Sequence, residues 1–441
     1  MGEVRSARES IFYTVVLAAT IALLYTFQAE FQDSLPIRFS SYYEIESVFG
    51  VLENAEESKY DFESERSCNH TFYELTHGEE GRLDNGTLTG VHIFLRHGHR
   101  TAMDSKRAKK TPRNLCDIRS TVKKMMINQK ACFTSTLESA MSVYTQSDKC
   151  ISSQLTALGV EQHKRLGSFL RSRYSSFTPD FAVHSTTYSR TFLSALSFLS
   201  TFDTSICTKT AIMPTKDTYF RGEAKPCPSS ILLKKHFKEK TWTNTSIEYR
   251  QKLTKLYKDT WVDVIADQLF IESCSSSSFS HRCKTSAKHE KCLSDNDFKN
   301  FTSMLEYVNY EYFKNENYQR HSYLSVKPLI KRLFAETQNY QIYSGHDLTI
   351  GAILSYFDFF PSFRIPFASR VVFEFFEGDS FRLLFNGVQI FPKLLNQTVQ
   401  IAEFSDEEKF KKLFPSSKSM KDACSKQLIE NFRRRKRHLD S

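Results

Sequence analysis

The sequence predicts an α/β fold: a mostly parallel sheet with helices on both faces, plus an inserted, mainly helical cap. Three observations carry this expectation. Short apolar runs alternate with stretches of helical periodicity, the pattern of a sheet covered on both sides. Long, charged, helix-rich stretches at about 105–150 and 208–336 interrupt that alternation. The chain has 441 residues, more than one hydrophobic core usually organises, so a large domain with additions is expected. Apolar residues make up 40% of it, with 38 Phe and 20 Tyr, which excludes a disordered chain. Only 14 Gly and 11 Pro exclude a collagen-like or linker-dominated one.

The elements follow in order. Val91-His92-Ile93-Phe94-Leu95 is a compact strand that runs straight into charged residues. Residues 156–174 form a helix with Leu158, Leu166, Phe169 and Leu170 on its apolar side. Phe181-Ala182-Val183-His184 is a short strand, followed by a helix with Phe192, Ala195, Leu196 and Leu199 at i, i+3, i+4 and i+7. Gln341-Ile342-Tyr343 is a further strand, again followed by a helix from about Leu348. Near the end, 370–376 and 381–385 flank Glu377-Gly378-Asp379-Ser380, which marks a hairpin.

The N-terminus is an address before it is a fold. Residues 11–27 carry no charge over 17 positions, the lower limit for a membrane-spanning helix. Arg5 and Arg8 precede the run, Glu30 and Asp33 follow it, and Phe27-Gln28-Ala29 is a poor cleavage site. The reading is an uncleaved signal anchor with the body in the lumen, short enough for the thinner bilayers of the early secretory pathway, with a cleaved signal peptide as the alternative. Five Asn-x-Ser/Thr sequons, at Asn69, Asn85, Asn244, Asn300 and Asn396, agree with it. So do ten cysteines without a Cys-x-x-Cys pair, which an oxidising compartment would join into as many as five disulfides. A metal site from Cys274, Cys283, Cys292 and His281 is the weaker alternative. The expected organisation is a cytoplasmic tail at 1–10, the anchor at 11–27 and an acidic lumenal stem at 28–87. A domain at 88–430, holding the cap insertions, and a basic tail at 431–441 complete it.

Charge is unevenly spread. Residues 28–66 hold ten acidic against three basic residues, so 67–441 carry +17 where the whole chain carries +10. A lumenal body excludes nucleic acid as the partner of this charge and leaves membranes and acidic substrates. Lys106, Arg107, Lys109, Lys110 and Arg113 form a local basic run, which is either a solvated loop or a contact for a polyanion. Arg433-Arg434-Arg435-Lys436-Arg437 is a second, which is a solvated end, a polyanion contact or a basic processing site.

In an open α/β sheet, ligands sit beyond the carboxyl ends of the strands. Three places put chemistry there: Arg96-His97-Gly98-His99-Arg100, Tyr188-Ser189-Arg190 and Ser344-Gly345-His346-Asp347. Converged, three guanidinium groups and helix N-termini form a fork-shaped cage for a dianionic phosphate. A His among cations stays neutral and nucleophilic in mild acid, and a carboxyl beside bound phosphate is kept protonated as a general acid. Phosphoryl transfer to His97 and then to water needs no metal or other cofactor, because the arginines neutralise the charge. Asp347 is also placed to cap the helix behind it. His99 is either a third imidazole or a space-filling residue, and His163 and His184 are packing or surface histidines.

These motifs resemble the signature of the histidine acid phosphatases, the acid-phosphatase and phytase branch of the histidine phosphatase superfamily. Leu155-Thr156-Ala157-Leu158-Gly159 and Ser189-Arg190-Thr191 match the flanking text, and the likeness is colinear over roughly 88–428. By that resemblance the fold is the histidine phosphatase fold and His97 is the phosphohistidine nucleophile. Arg96, Arg100, Arg190 and His346 hold the phosphate, and Asp347 protonates the leaving group. The anchor, the Cys274/Cys283/Cys292 cluster and Leu383-Leu384-Phe385-Asn386-Gly387-Val388 look most like a Golgi type II membrane branch of the family. That branch acts on phosphorylated xylose in the glycosaminoglycan–protein linkage region of proteoglycans. A broad acid phosphatase of the lysosome or secretory pathway is the alternative enzyme. A catalytically silent lumenal binding protein on this fold would have lost His97 or Asp347, and both are present. Two departures stand out: many relatives have an acidic residue where His99 stands and Pro where Ala102 stands, which predicts a looser turn after the phosphate loop.

Overall fold

The computed structural model describes residues 73–118, 150–202, 212–215 and 313–425, with short gaps, and Ser229, Leu233, Asp267, Phe270, Ile271 and Tyr310. The expected anchor, all five sequons, the Cys274/Cys283/Cys292 cluster and the C-terminal basic run lie outside the described residues. Among the described residues no helix is long and apolar enough to cross a membrane. The order of elements begins α1 (Tyr73–Thr76), β1 (Leu88–Arg96), α2 (Ser105–Ala108), α3 (Arg113–Cys116) and α4 (Ala157–Arg173). It continues through β2 (Phe181–Thr186), α5 (Ser189–Phe202), β3 (Ile212–Thr215), α6 (Glu316–Ala335), β4 (Tyr340–Gly345) and α7 (Asp347–Tyr356). The hairpin strands β5 (Arg370–Phe376) and β6 (Ser380–Phe385) come next. Last are β7 (Val388–Phe391), β8 (Val399–Gln400), α8 (Glu407–Leu413) and α9 (Met420–Ala423).

From Gly90 onward every residue of β1 is buried, as a strand covered on both faces must be. Its side chains sort by the two-residue period. Val91, Ile93 and Leu95 join one core with Leu166, Leu170, Leu193, Leu196 and Phe198 of α4 and α5. Phe94 joins a second core with Leu329, Leu333, Ile350 and Ile353 of α6 and α7. Tyr343 of β4 lies on that side too, stacked on Phe94 with 4.4 Å between ring centroids. The helices therefore cover both faces.

The strand order is β3-β2-β4-β1-β5-β6-β7, with β8 beside β6. The α/β class holds, but the sheet is mixed rather than mostly parallel. β3, β2, β4 and β1 pair in parallel, whereas β5, β6, β7 and β8 are added antiparallel. The hairpin accounts for the β5–β6 pair, because strands joined by a tight turn can only run antiparallel. β1, β4 and β2 end at one edge, with Leu95 in register with Ser344, and Ser344 with Ser185.

Two boundaries move. The insertion expected over 208–336 gives up both ends: β3 is an edge strand of the sheet, and α6 supplies one of its helical layers. The stem expected to run to residue 87 is anchored well before that. Glu80 pairs with the fully buried Arg370 at 2.5 Å, and the Gly81 N–H donates to Glu374 at 2.7 Å, so this stretch belongs to the body. One disulfide, Cys116–Cys150, closes the described part of the 105–150 insertion, and Cys424 is disulfide-bonded as well.

Candidate active site

β1, β2 and β4 deliver their three motifs to the same edge of the sheet. The backbone of His97 is fixed from two sides, its N–H donating to Gly345 at 3.0 Å and its carbonyl accepting from Ala368 at 3.2 Å. The next residues pack against the start of α4 so closely that neither side tolerates a side chain. A Cβ on Gly98 would lie 2.5 Å from the Gly159 carbonyl oxygen, and one on Gly159 would lie 2.3 Å from that of His99. Thr156 caps α4 by accepting from the Gly159 N–H, and the same hydroxyl meets His99 Nδ1 at 2.7 Å. This explains why Leu155-Thr156-Ala157-Leu158-Gly159 accompanies the histidine motif.

The turn beyond Arg100 is not loose despite Ala102. Thr101 N–H donates to Gln154, Ser153 N–H to Ala102 and Thr156 N–H to His99, so the 153–156 segment holds the loop where proline would otherwise stiffen it. His99 is a fastening residue: it is buried, with Nδ1 on Thr156 and Nε2 3.2 Å from the Ile271 carbonyl. His163 and His184 serve packing, His163 fully buried in α4 and His184 stacked on Tyr343.

His97 is almost wholly buried. Its Nδ1 lies 2.9 Å from the Gly98 carbonyl, which can only accept, so Nδ1 carries the proton and Nε2 the lone pair. Burial, then the charges of Arg190, Arg96, Arg100 and His346, hold its pKa well below the ordinary histidine value. The ring therefore stays neutral as pH falls below 6.5 and gains a proton only in stronger acid. His346 faces it, 5.5 Å away between ring centroids. Arg190 Nη2 approaches His346 Nδ1 at 3.5 Å, and Thr186 Oγ1 lies 3.1 Å from Nε2. A guanidinium can only donate, so Nδ1 accepts and Nε2–H donates to Thr186. Burial and Arg190 push the His346 pKa down to about 3.

Arg96 is fully buried and Arg100 nearly so. Arg96 donates through Nη1 to the Ile365 carbonyl and lies over Phe367, 4.3 Å from the ring centroid. Burial lowers its pKa to about 9, which leaves it charged at neutral pH. Arg100 places both terminal nitrogens on Asp267, at 3.0 and 2.7 Å. The Nε atoms of Arg96 and Arg100 are buried without a hydrogen-bond acceptor, an arrangement a phosphoryl oxygen would satisfy.

Asp347 opens α7, with His346 rather than itself at the cap position. One carboxylate oxygen accepts from the Leu348 N–H at 2.9 Å and the other lies 3.1 Å from Arg96 Nη2. Its side chain is 35% exposed, so the carboxylate is accessible while Arg96 beneath it is not. Partial burial pushes its pKa up, but Arg96, Arg364, His346 and Arg100 outweigh this and hold it well below the usual carboxylate range. The two negative charges of a bound phosphate would act in the opposite direction, so protonation of Asp347 is tied to substrate.

Three groups here carry no motif. Asp267 bridges Arg100 and, at 3.3 Å, Arg364. Arg364 lies over Phe270, 4.2 Å from its centroid. Phe270, Ile271, Phe367 and Ala102 form a small apolar cluster of their own, which ties the insertion to the phosphate loop. No sequence signal marks them, because each acts across more than 90 residues of chain.

This sheet edge, with a buried neutral histidine inside an arginine cage and a carboxylate at a helix start, defines a histidine phosphatase. Residues 87–386 match the histidine phosphatase superfamily (branch 2), and the chain belongs to that family. The mouse protein 2-phosphoxylose phosphatase 1 is 24% identical over 416 residues, covering 79% of this chain and 83% of that one. Lysosomal acid phosphatase of Xenopus laevis is 25% identical over 261 residues, 52% of this chain and 59% of that protein. Among solved structures, a phytase from D. castellii covers 86% of this chain and 90% of its own at 13% identity and a TM-score of 0.43.

Proposed function

We propose that the protein is a lumenal phosphomonoesterase that works through a phosphohistidine and removes the 2-phosphate from xylose in the glycosaminoglycan–protein linkage region. The observation that carries the catalytic part is His97, neutral, with Nδ1–H locked on Gly98 and Nε2 left as a nucleophile beside Arg96, Arg100 and Arg190. Nε2 attacks phosphorus as the ester P–O bond breaks, and Asp347 gives its proton to the departing sugar oxygen. Water then attacks the phosphohistidine, Asp347 takes back a proton, and inorganic phosphate leaves. The arginines hold the equatorial oxygens and balance their charge throughout, and His346 braces Arg190 beside them.

The xylose specificity is supported by the relatives named 2-phosphoxylose phosphatase 1, which match most of the chain's length. A secretory-pathway setting is supported by the Cys116–Cys150 disulfide, by the lysosomal phosphatase among the relatives and by the five sequons. Golgi anchoring through 11–27 belongs to the same reading. The basic run adds a contact for the surrounding polyanion: Lys106, Lys109 and Arg113 are exposed, whereas the Arg107 side chain and Lys110 lie outside the described residues. The likeness to lysosomal acid phosphatase supports a second reading, a broad acid phosphatase of the same compartment. Turnover of a phosphoxylosyl linkage oligosaccharide beside a simple aryl phosphate separates the two. A strong preference for the oligosaccharide is expected; equal or better use of the aryl ester would favour the broad enzyme.

A further inference from the structure

Tyr188 is the most exposed large apolar side chain among the described residues, at 55%, on a rim where Arg190, His346 and Asp347 are half-buried. Its surroundings are those of the phosphate site. The Arg190 guanidinium carbon lies 4.5 Å from its ring centroid. The His346 ring meets it nearly at right angles, with centroids 5.1 Å apart. Its backbone is fixed as well: the Tyr188 carbonyl accepts from the N–H groups of Thr191 and Phe192, both at 3.1 Å, and from the Thr191 hydroxyl at 2.7 Å.

An aromatic ring in that position has a direct consequence for the substrate. A phosphoryl group gripped by Arg190 lies beside that residue and His346, and both touch Tyr188. The group esterified to it leaves toward Asp347, the chain neighbour of His346. The substituent next to the phosphate therefore passes the rim on which Tyr188 stands. A phenol ring offers an apolar surface for the C–H face of a pyranose or the π-face of an aryl group, and a hydroxyl for a ring substituent. Because the Tyr188 backbone is already fixed at the start of α5, ordering this segment adds little cost on binding.

We propose that Tyr188 is a specificity-determining residue, a platform on which the cyclic part of the leaving group stacks and which favours ring-bearing phosphate esters over acyclic ones. The proposal rests on the phosphomonoesterase reading of the same site and adds the class of leaving group. A merely structural role, bracing Arg190 and His346, would alter phosphate binding itself and act on all esters alike.

The test compares the full chain with Tyr188→Ala, Tyr188→Phe and Tyr188→Trp. Xylose 2-phosphate and a nitrophenyl phosphate serve as ring substrates, β-glycerophosphate as the acyclic one, and inorganic phosphate as a competitive inhibitor. Tyr188→Ala is expected to lose on the order of five- to tenfold more kcat/KM on the ring esters than on β-glycerophosphate. That loss should lie chiefly in KM, and Phe and Trp should restore most of it. Equal losses on all three esters, matched by a weaker inhibition constant for phosphate, would overturn the platform and leave Tyr188 as a brace. If the unmodified protein hydrolysed none of the esters, the phosphomonoesterase reading would fail first and the platform with it.

Discussion

At the scale of single residues, the chemistry turns on protonation states set by surroundings. His97 and His346 are both neutral, but for different tasks: one presents a lone pair, while the other accepts from Arg190 and donates to Thr186. On the proposed mechanism Asp347 has two tasks that need opposite states. Paired with Arg96 it is a carboxylate, and to expel a sugar alkoxide it must carry a proton that the substrate's own charge helps it hold. Asp347→Asn keeps the shape and removes the proton transfer, whose usual value is ~10²–10⁴-fold. A nitrophenolate leaves without that help. Steady-state rates should show a large loss on sugar phosphate and a much smaller one on the aryl ester; equal losses would remove Asp347 from the acid role.

At the scale of elements, the insertion and the phosphate loop act as one structure. Asp267 is nearly fully buried against Arg100, and breaking such a pair by removing one partner typically costs ~3–5 kcal/mol. Asp267→Ala should therefore lower the midpoint of chemical denaturation sharply. In a double-mutant cycle with Arg100→Met the two losses should be far from additive; additive losses would mean that the pair does not couple the elements. The basic run from Lys106 to Arg113 belongs to this scale too. Changing Lys106, Arg107, Lys109 and Lys110 to Ser should lower kcat/KM for a glycosaminoglycan-bearing substrate and flatten its salt dependence, since such steering is screened over roughly 8–10 Å. A small aryl phosphate should respond far less, and a like response from both substrates would assign the run a structural role.

These elements also show what can be read from a chain alone. Arg96, His97, Arg100, His346 and Asp347 were legible because a strand end and a helix start each place neighbouring residues together. β3 was not: Pro214 demotes the run 212–215 from a central strand, and the structure tolerates it only because β3 lies at the sheet edge. Asp267 and Arg364 were invisible for another reason, since their partners are chosen by tertiary packing. His99, left open between two roles, is settled by its bonds to Thr156 and Ile271.

On the scale of the whole molecule, burying neutral histidines makes acid a threat to the fold. His92 is held at about 4 and His163 at about 3, mainly by burial. Each value lies below the ordinary 6.5, so the unfolded chain binds more protons, and stability falls as pH drops from about 6.5 toward the folded value. For His163 the loss at pH 5 is roughly 2 kcal/mol. Its ring meets the Arg96 backbone, a contact that an apolar replacement gives up together with the titrating group. His163→Leu should recover ~2–4 °C of the fall in Tm between pH 7 and pH 5. An unchanged fall would mean that His163 titrates normally in the folded state.

The central claim is covalent transfer to His97, and trapping the intermediate tests it most directly. Enzyme mixed with a labelled phosphate ester and quenched in alkali should carry up to one phosphoryl group per chain, located on His97, stable to base and lost in acid. His97→Ala should show neither label nor turnover. Turnover retained by His97→Ala, or a label that survives acid, would contradict the account.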